Sequence, residues 1–337
     1  MGGMDGCRKL SAAFYGRVAR DPILRPLFPS LHCAIENLTL FLAQFLGGPC
    51  EYSDRRWSLS LREAHLRFKI GRKERDAWMT NMLEALKDVA IPSSARDQLR
   101  CFFEESSAYL INHPKGAGAL PAGVCDGDIG ERWDVLRAVE QTVAAVRRGD
   151  AQGAIALAQS SRLQKYFQRD RGAFLSLLAI MSGGMTEYVR EKVMEHTELV
   201  RERYTYGRTL LHETAAAGSL AIVELLLKLG ANPNEPDDYG HVPLYFVGNQ
   251  CSAESGAEVV RALARGGANV NARDRIQSCT PLHMAARRGN VSVAAALLDC
   301  GADIEARDRR GVTPLGRAIN CRKKEMAAFL HSRATHG

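Results

Sequence analysis

None of the nine cysteines, at positions 7, 33, 50, 101, 125, 251, 279, 300 and 321, stands at Cys-x-x-Cys spacing to another, which disfavours a structural zinc site. The N-terminus lacks a basic start followed by an apolar core, so a secretory signal is not expected and the chain should be cytoplasmic with reduced thiols. Long hydrophobic runs are missing too. The longest strongly apolar stretch, Leu38 to Leu46, is interrupted by Gln44 and is about half the ~20 residues that span a bilayer. No membrane partner is expected. Charge of one sign is in modest excess only: +7 over 337 residues, with a pI near 9.0 and acidic residues interspersed among the basic ones. That balance permits nucleic-acid binding without signalling it, and nucleic acid is not expected as a partner.

At this length the chain accommodates two parts, each burying its own core, and helical periodicity fills residues 8–113. Leu10, Phe14 and Val18 form one stripe, which Pro22, Pro26 and Pro29 prevent from continuing. Leu31, Ile35, Leu38, Leu42 and Phe45 alternate steps of four and three, and Gly47-Gly48-Pro49 ends that helix. Residues 50–60 read as loop. A short helix presents His65, with Gly71 expected to close it. Trp78, Met82 and Leu86 mark a further helix. Ser94-Ala95-Arg96-Asp97 resembles a capping box that opens the next, carrying Leu99, Phe103 and Leu110 and stopped by Pro114. Residues 114–130, rich in Gly and Ala with two prolines and almost no aromatics, have the composition of a linker.

The C-terminal half repeats itself. Thr280-Pro281-Leu282-His283 and Thr313-Pro314-Leu315-Gly316 lie 33 residues apart, as do Thr209-Leu210-Leu211-His212 and Val242-Pro243-Leu244-Tyr245. Gly230-Ala231-Asn232, Gly267-Ala268-Asn269 and Gly301-Ala302-Asp303 follow at helix ends. A 33-residue period with these motifs resembles the ankyrin repeat. The clear repeats cover about residues 206–337, within an array drawn from 131 onward, and Gly248 to Gly256 reads as an insertion. Residues 144–205 are expected to form two degenerate repeats, and Arg322 to Leu330 the closing cap, because a solenoid needs atypical end units to finish its core.

His65 is the most informative residue. A short helical domain with one histidine at the end of a turn, a Tyr on an early helix and a Trp on a later one has the parts of a haem pocket, in which a neutral imidazole holds iron from one side. Six motifs then occur in order: Phe14-Tyr15; Leu24-Arg25-Pro26-Leu27-Phe28-Pro29; Phe41 to Pro49; Tyr52-Ser53; His65-Leu66-Arg67-Phe68-Lys69-Ile70; and Arg75-Asp76-Ala77-Trp78-Met79. On these residues the stretch from about 8 to 113 resembles a truncated haemoglobin of the second group. The resemblance implies an all-α architecture, a truncated two-over-two globin (1–113) followed by an ankyrin solenoid, and haem b as cofactor. By the same resemblance His65 is the proximal iron ligand, Tyr15 the distal hydroxyl, Trp78 an indole donor, and Phe28 a ring against the porphyrin. Ala34 and Leu38 fill gate and wall positions, while Phe14, Leu42, Phe45, Phe68 and Met82 complete the apolar cage. Many relatives carry Arg just before the proximal histidine, where this chain has Ala64; propionate anchoring then falls to Arg62, Arg67 or Lys69. No Cys-x-x-Cys-His appears for covalent haem attachment.

These residues set the functional expectations. The partners expected are a diatomic gas (O2, NO or CO) at the iron and a protein on the ankyrin face, with gas or redox sensing, or O2 binding, as the role. An NO dioxygenase or peroxidase-like enzyme is the alternative, although the chain has no flavin or nicotinamide motif to supply electrons; an ankyrin scaffold with a globin remnant is the third. His212 and His283, in Thr-x-Leu-His, are read as ties between loop and helix rather than metal ligands. Arg287-Arg288, Arg307 to Arg310 and Arg322-Lys323-Lys324 are read as solvated repeat surface rather than a dock for an acidic partner.

Overall fold

The computed structural model describes residues 2–52, 60–113, 127–251 and 253–335, without the side chains of residues 205, 253 and 254. Residues 53–59 lie outside the described residues, and with them most of the loop expected over 50–60 and Ser53 of one motif. So do residues 114–126, which include Pro114 and most of the expected linker. The described residues are helical with no strand, as the 3.6-residue patterning requires. The chain divides into two compact units, residues 1–173 and 174–337.

The first unit begins with α1 (Gly3–Val18), whose Cys7, Leu10, Phe14 and Val18 are buried along one face. Asp21 then folds the chain back, because its carboxylate accepts the Ile23 and Leu24 amides at 2.8 and 2.9 Å and the Asn81 side chain at 2.7 Å. Ser30 caps α2 (Leu31–Phe45) by accepting the Cys33 amide. In this helix Leu42 is fully buried, while Ala34 and Leu38 are half-buried because they wall a cavity. The short α3 (Leu61–His65) is capped by Ser60, which accepts the Glu63 amide at 3.1 Å. Gly71 does not close this helix. It opens the next, α4 (Arg72–Asp88), where the Glu74 carboxylate reaches back to the Gly71 amide at 2.8 Å. α5 (Ser93–Tyr109) starts at Pro92 without a side-chain cap, so the capping box expected at Ser94 is not formed; that serine already lies within the first turn.

A further helix, α6 (Gly127–Arg147), starts four residues inside the expected linker. It belongs to the first unit, and its Ile129 and Trp133 join the same buried cluster as Phe14, Leu42, Met82 and Phe102. Trp133 is fully buried, donates from Nε1 to Glu105 at 2.6 Å, and meets the Phe102 ring edge-on at 5.3 Å. The helices α7 (Ala151–Ala158) and α8 (Ser161–Arg169) complete the unit. Residues 144–173, expected in degenerate repeats, thus fall in the first unit. Cys101 is disulfide-bonded, against the expectation of reduced thiols; the other described cysteines are free.

The second unit contains helix pairs in which short first helices such as α9 (Leu210–Ala217) and α10 (Pro281–Arg288) alternate with longer ones. The insertion expected at Gly248 to Gly256 is taken up largely by a longer second helix: Ala253–Arg265 has 13 residues where Leu220–Lys228 and Val291–Asp299 have 9. Gly248 is required by packing, since a Cβ there would lie 2.6 Å from the Pro281 carbonyl oxygen. The final helix, Lys324–Thr335, buries only Met326 and Leu330 on its inner face.

The two repeat histidines act as expected. The Thr209 amide donates to His212 Nδ1 at 3.0 Å, and His212 Nε2–H donates to the His241 carbonyl at 3.1 Å; His283 does the same between Thr280 and Val312. Both rings are therefore held neutral, and burial pushes His212 down to about 4 and lowers His283. Below its ordinary value of about 6.5 the unfolded chain binds a proton at His212 that the folded one refuses, so stability falls as pH drops. Between about pH 7 and pH 5 the second unit should lose about 2 kcal/mol from this residue. Urea unfolding at the two pH values checks it, and an unchanged midpoint rejects it.

Candidate functional site

α1, α2, α3, α4 and α5 enclose a cavity of about 370 Å³ in the first unit. Its walls carry Tyr15 from α1, Phe28 from the turn after it, Ala34 and Leu38 from α2, His65 from α3, Phe68 just beyond, and Trp78 from α4. The rings form a continuous chain. Tyr15 meets Phe28 edge-on at 5.2 Å, Phe28 lies 5.9 Å from Phe68, and Phe68 lies 6.2 Å from His65. Phe14 connects Tyr15 to Trp78 at 4.8 and 5.1 Å. The edge-to-face pairs, Phe14 with Tyr15 and Tyr15 with Phe28, orient the rings beyond what area burial alone would do.

Other residues of the expected set stand behind this wall. Leu42 and Met82 are fully buried in the core beneath it, and Phe45 stacks on Phe102 at 4.2 Å. Arg62 is turned away: its Nη1 donates to the Tyr109 carbonyl at 2.6 Å and its guanidinium sits over the Tyr109 ring. Arg67 lines the cavity instead, with its guanidinium 4.6 Å from the Phe68 ring centre. Sequence reasoning missed Leu24, Phe41, Arg75, Phe102 and Phe103, which also line it. Phe41 and Phe103 lie inside recognised motifs or stripes, but periodicity reports burial and cannot separate a core wall from a cavity wall.

His65 is the only imidazole on the cavity wall among the described residues. Its Nδ1 lies 2.7 Å from the Leu61 carbonyl oxygen. A carbonyl can only accept, so Nδ1 carries a proton, which in the neutral ring leaves the lone pair on Nε2. The donor set fits a haem: an imidazole whose Nδ1 is bonded to a backbone carbonyl, aromatic and aliphatic walls, and a guanidinium on the cavity wall. Next to this helix, Glu140 of α6 is 2% exposed. It accepts from Ser60 Oγ at 2.6 Å, from Tyr109 OH at 3.0 Å and from the Leu61 amide. Burial raises the Glu140 carboxyl, and burial together with the Glu140 charge pushes the Tyr109 phenol well above its usual value. Arg147, one helix end further, grips Glu63 through two bonds of 2.7 and 3.2 Å.

Basic residues of the second unit are largely engaged with their neighbours. Arg287 and Arg288 donate to Asn249, Arg307 to the Gly311 carbonyl and Arg309 to the Arg275 carbonyl. Among the described residues no helix is long and apolar enough to cross a membrane.

Comparison with known proteins agrees with this geometry. Residues 1–110 match the family model of bacterial-like globins, and residues 176–274 and 249–336 match that of ankyrin repeats in three copies. The group 2 truncated hemoglobin YjbI of Bacillus subtilis is 35% identical over 105 residues, covering 31% of this chain and 80% of that protein. The human cyclin-dependent kinase inhibitor 2A is 32% identical over 124 residues, 37% of this chain and 76% of its own length. Alpha-latrotoxin-Lt1a of Latrodectus tredecimguttatus is 33% identical over 136 residues, but the match spans only 9% of that toxin. Globins are haem proteins that bind small ligands and ankyrin repeats are protein-binding modules, and this chain belongs to the bacterial-like globins through its N-terminal domain, which ankyrin repeats follow.

Proposed function

We propose that the first unit holds haem b through His65 and binds a diatomic ligand, O2, NO or CO, on the side facing Tyr15 and Trp78, while the repeats hold a protein partner whose affinity depends on that ligand. The observation that carries this reading is His65 on an aromatic cavity wall, with its Nδ1–H fixed on the Leu61 carbonyl. A haem held by one histidine would supply an open position for a small ligand. The chain supplies the rest. The Tyr15 hydroxyl and Trp78 N–H are donors within an apolar enclosure, where a hydrogen bond to a charged or polarised group contributes about 1.5–3 kcal/mol. Arg67, on the cavity wall, would meet a propionate, the role for which Arg62 is turned away.

Hemin titration tests the reading. A Soret band that saturates at one haem per chain supports it, and a preparation that stays colourless rejects it. Tyr15→Phe and Trp78→Phe should each speed O2 release by about tenfold, the kinetic counterpart of roughly 1.4 kcal/mol. Stopped-flow dissociation measures this, and unchanged rates remove both residues from the distal side. Coupling to the repeats requires different partner affinity in the ligand-free and ligand-bound protein, since a ligand shifts an equilibrium only through differential binding.

A further inference from the structure

Glu140 lies beyond the globin family match, on α6, yet its carboxylate serves the helix that carries His65. One oxygen accepts from Ser60 Oγ and Tyr109 OH, the other from the Leu61 amide, and the Arg62 amide also faces the carboxylate. The Leu61–Arg62 peptide group is therefore held at both ends. Its N–H points to Glu140, and its C=O receives Nδ1–H of His65 at 2.7 Å.

An anion at the N–H of a peptide draws charge toward the carbonyl oxygen and strengthens it as an acceptor, because hydrogen bonds in series polarise one another. A stronger acceptor on Nδ1–H makes the imidazole a stronger donor at Nε2. Helix capping alone does not require the carboxylate, since Ser60 already accepts the Glu63 amide. A buried charge is expensive unless hydrogen bonds surround it, and this one is kept among hydroxyl and amide donors. Arg147 on Glu63 gives α6 a second hold on the same short helix, so the direction of the imidazole is fixed from the same element.

We propose that Glu140 is a positioning residue for the iron ligand: through the Leu61–Arg62 peptide it sets the donor strength and orientation of His65, making the helix after the globin part of the haem site. This rests on the reading of His65 as the iron ligand. The test uses the full-length haem-loaded protein and its Glu140→Gln, Glu140→Asp and Tyr109→Phe variants, read by the iron–histidine stretch in the resonance Raman spectrum and by the reduction potential. Glu140→Gln keeps the shape and removes the charge; it should keep a full Soret band, lower the stretching frequency and raise the potential, because a weaker donor stabilises the oxidised iron less. Glu140→Asp retains the charge and should fall between. Tyr109→Phe removes a competing donor to the carboxylate and should move the stretch the opposite way, a sign that general destabilisation would not produce. If Glu140→Gln does not fold, the direction of the Tyr109→Phe shift decides the matter. A full Soret band with unchanged stretch and potential in the folded variants overturns this proposal and leaves haem binding standing, whereas a wild type that takes no haem overturns both.

Discussion

Replacing His65 by alanine should abolish specific haem uptake: the Soret band of the wild type collapses to the broad absorbance of free hemin, and hemin affinity falls by more than about two orders of magnitude. The scale follows from ligand chemistry. Losing only an outer partner of a metal ligand costs about 10- to 100-fold in affinity, and His65→Ala removes the ligand itself. No other imidazole on the cavity wall can replace it among the described residues. Because the substitution leaves an imidazole-sized gap, free imidazole added to the variant should restore a six- or five-coordinate spectrum, which separates loss of the ligand from loss of the fold. A variant that binds hemin as tightly as the wild type, without added imidazole, would place the iron elsewhere.

Trp133→Ala should destabilise the first unit by about 3–5 kcal/mol, the range for large aromatic side chains removed from a core. Trp133 is fully buried, its N–H is bonded to Glu105, and its ring braces Phe102, which in turn walls the cavity. The substitution therefore opens a hole and leaves the Glu105 carboxylate without that donor. Chemical denaturation followed by circular dichroism measures the loss, and haem should dissociate faster in the variant because Phe102 loses its support. A loss below about 0.5 kcal/mol, the range of surface substitutions, would mean that α6 does not pack against the globin helices in solution.

These two residues mark what is legible in the sequence. His65 can be found because its neighbours follow a fixed order, and the repeats because Thr-Pro-Leu-His recurs at constant period. Trp133 and Glu140 cannot. They sit on an amphipathic stripe, and a stripe shows that a helix has a partner without showing which one. With a solenoid downstream, residues 131–173 read as part of the repeats, while the structure gives them to the first unit. Gly71 misleads for a related reason. Glycine favours both ends of a helix, and only the Glu74 carboxylate three residues on decides that here it is a beginning. Arg62 is a reasonable anchor by charge and position, but the reach of its side chain toward the Tyr109 carbonyl depends on how α3 and α5 meet, which no one-dimensional pattern contains. The turn aspartates Asp237, Asp274 and Asp308 are buried and accept two or three backbone amides each; each stands five or six residues ahead of its repeat motif, a signal that the motifs alone do not carry.

The bond between Trp133 and Glu105 bears on how the molecule can be divided. A fragment ending at residue 110, where the family match stops, would bare the socket that holds the indole and leave the Tyr109 hydroxyl, the Ser60 hydroxyl and the Leu61 amide to water. Ligand binding measured on it would then describe an excised piece with a rewired underside, and the smallest portion that keeps these bonds extends at least to Arg147.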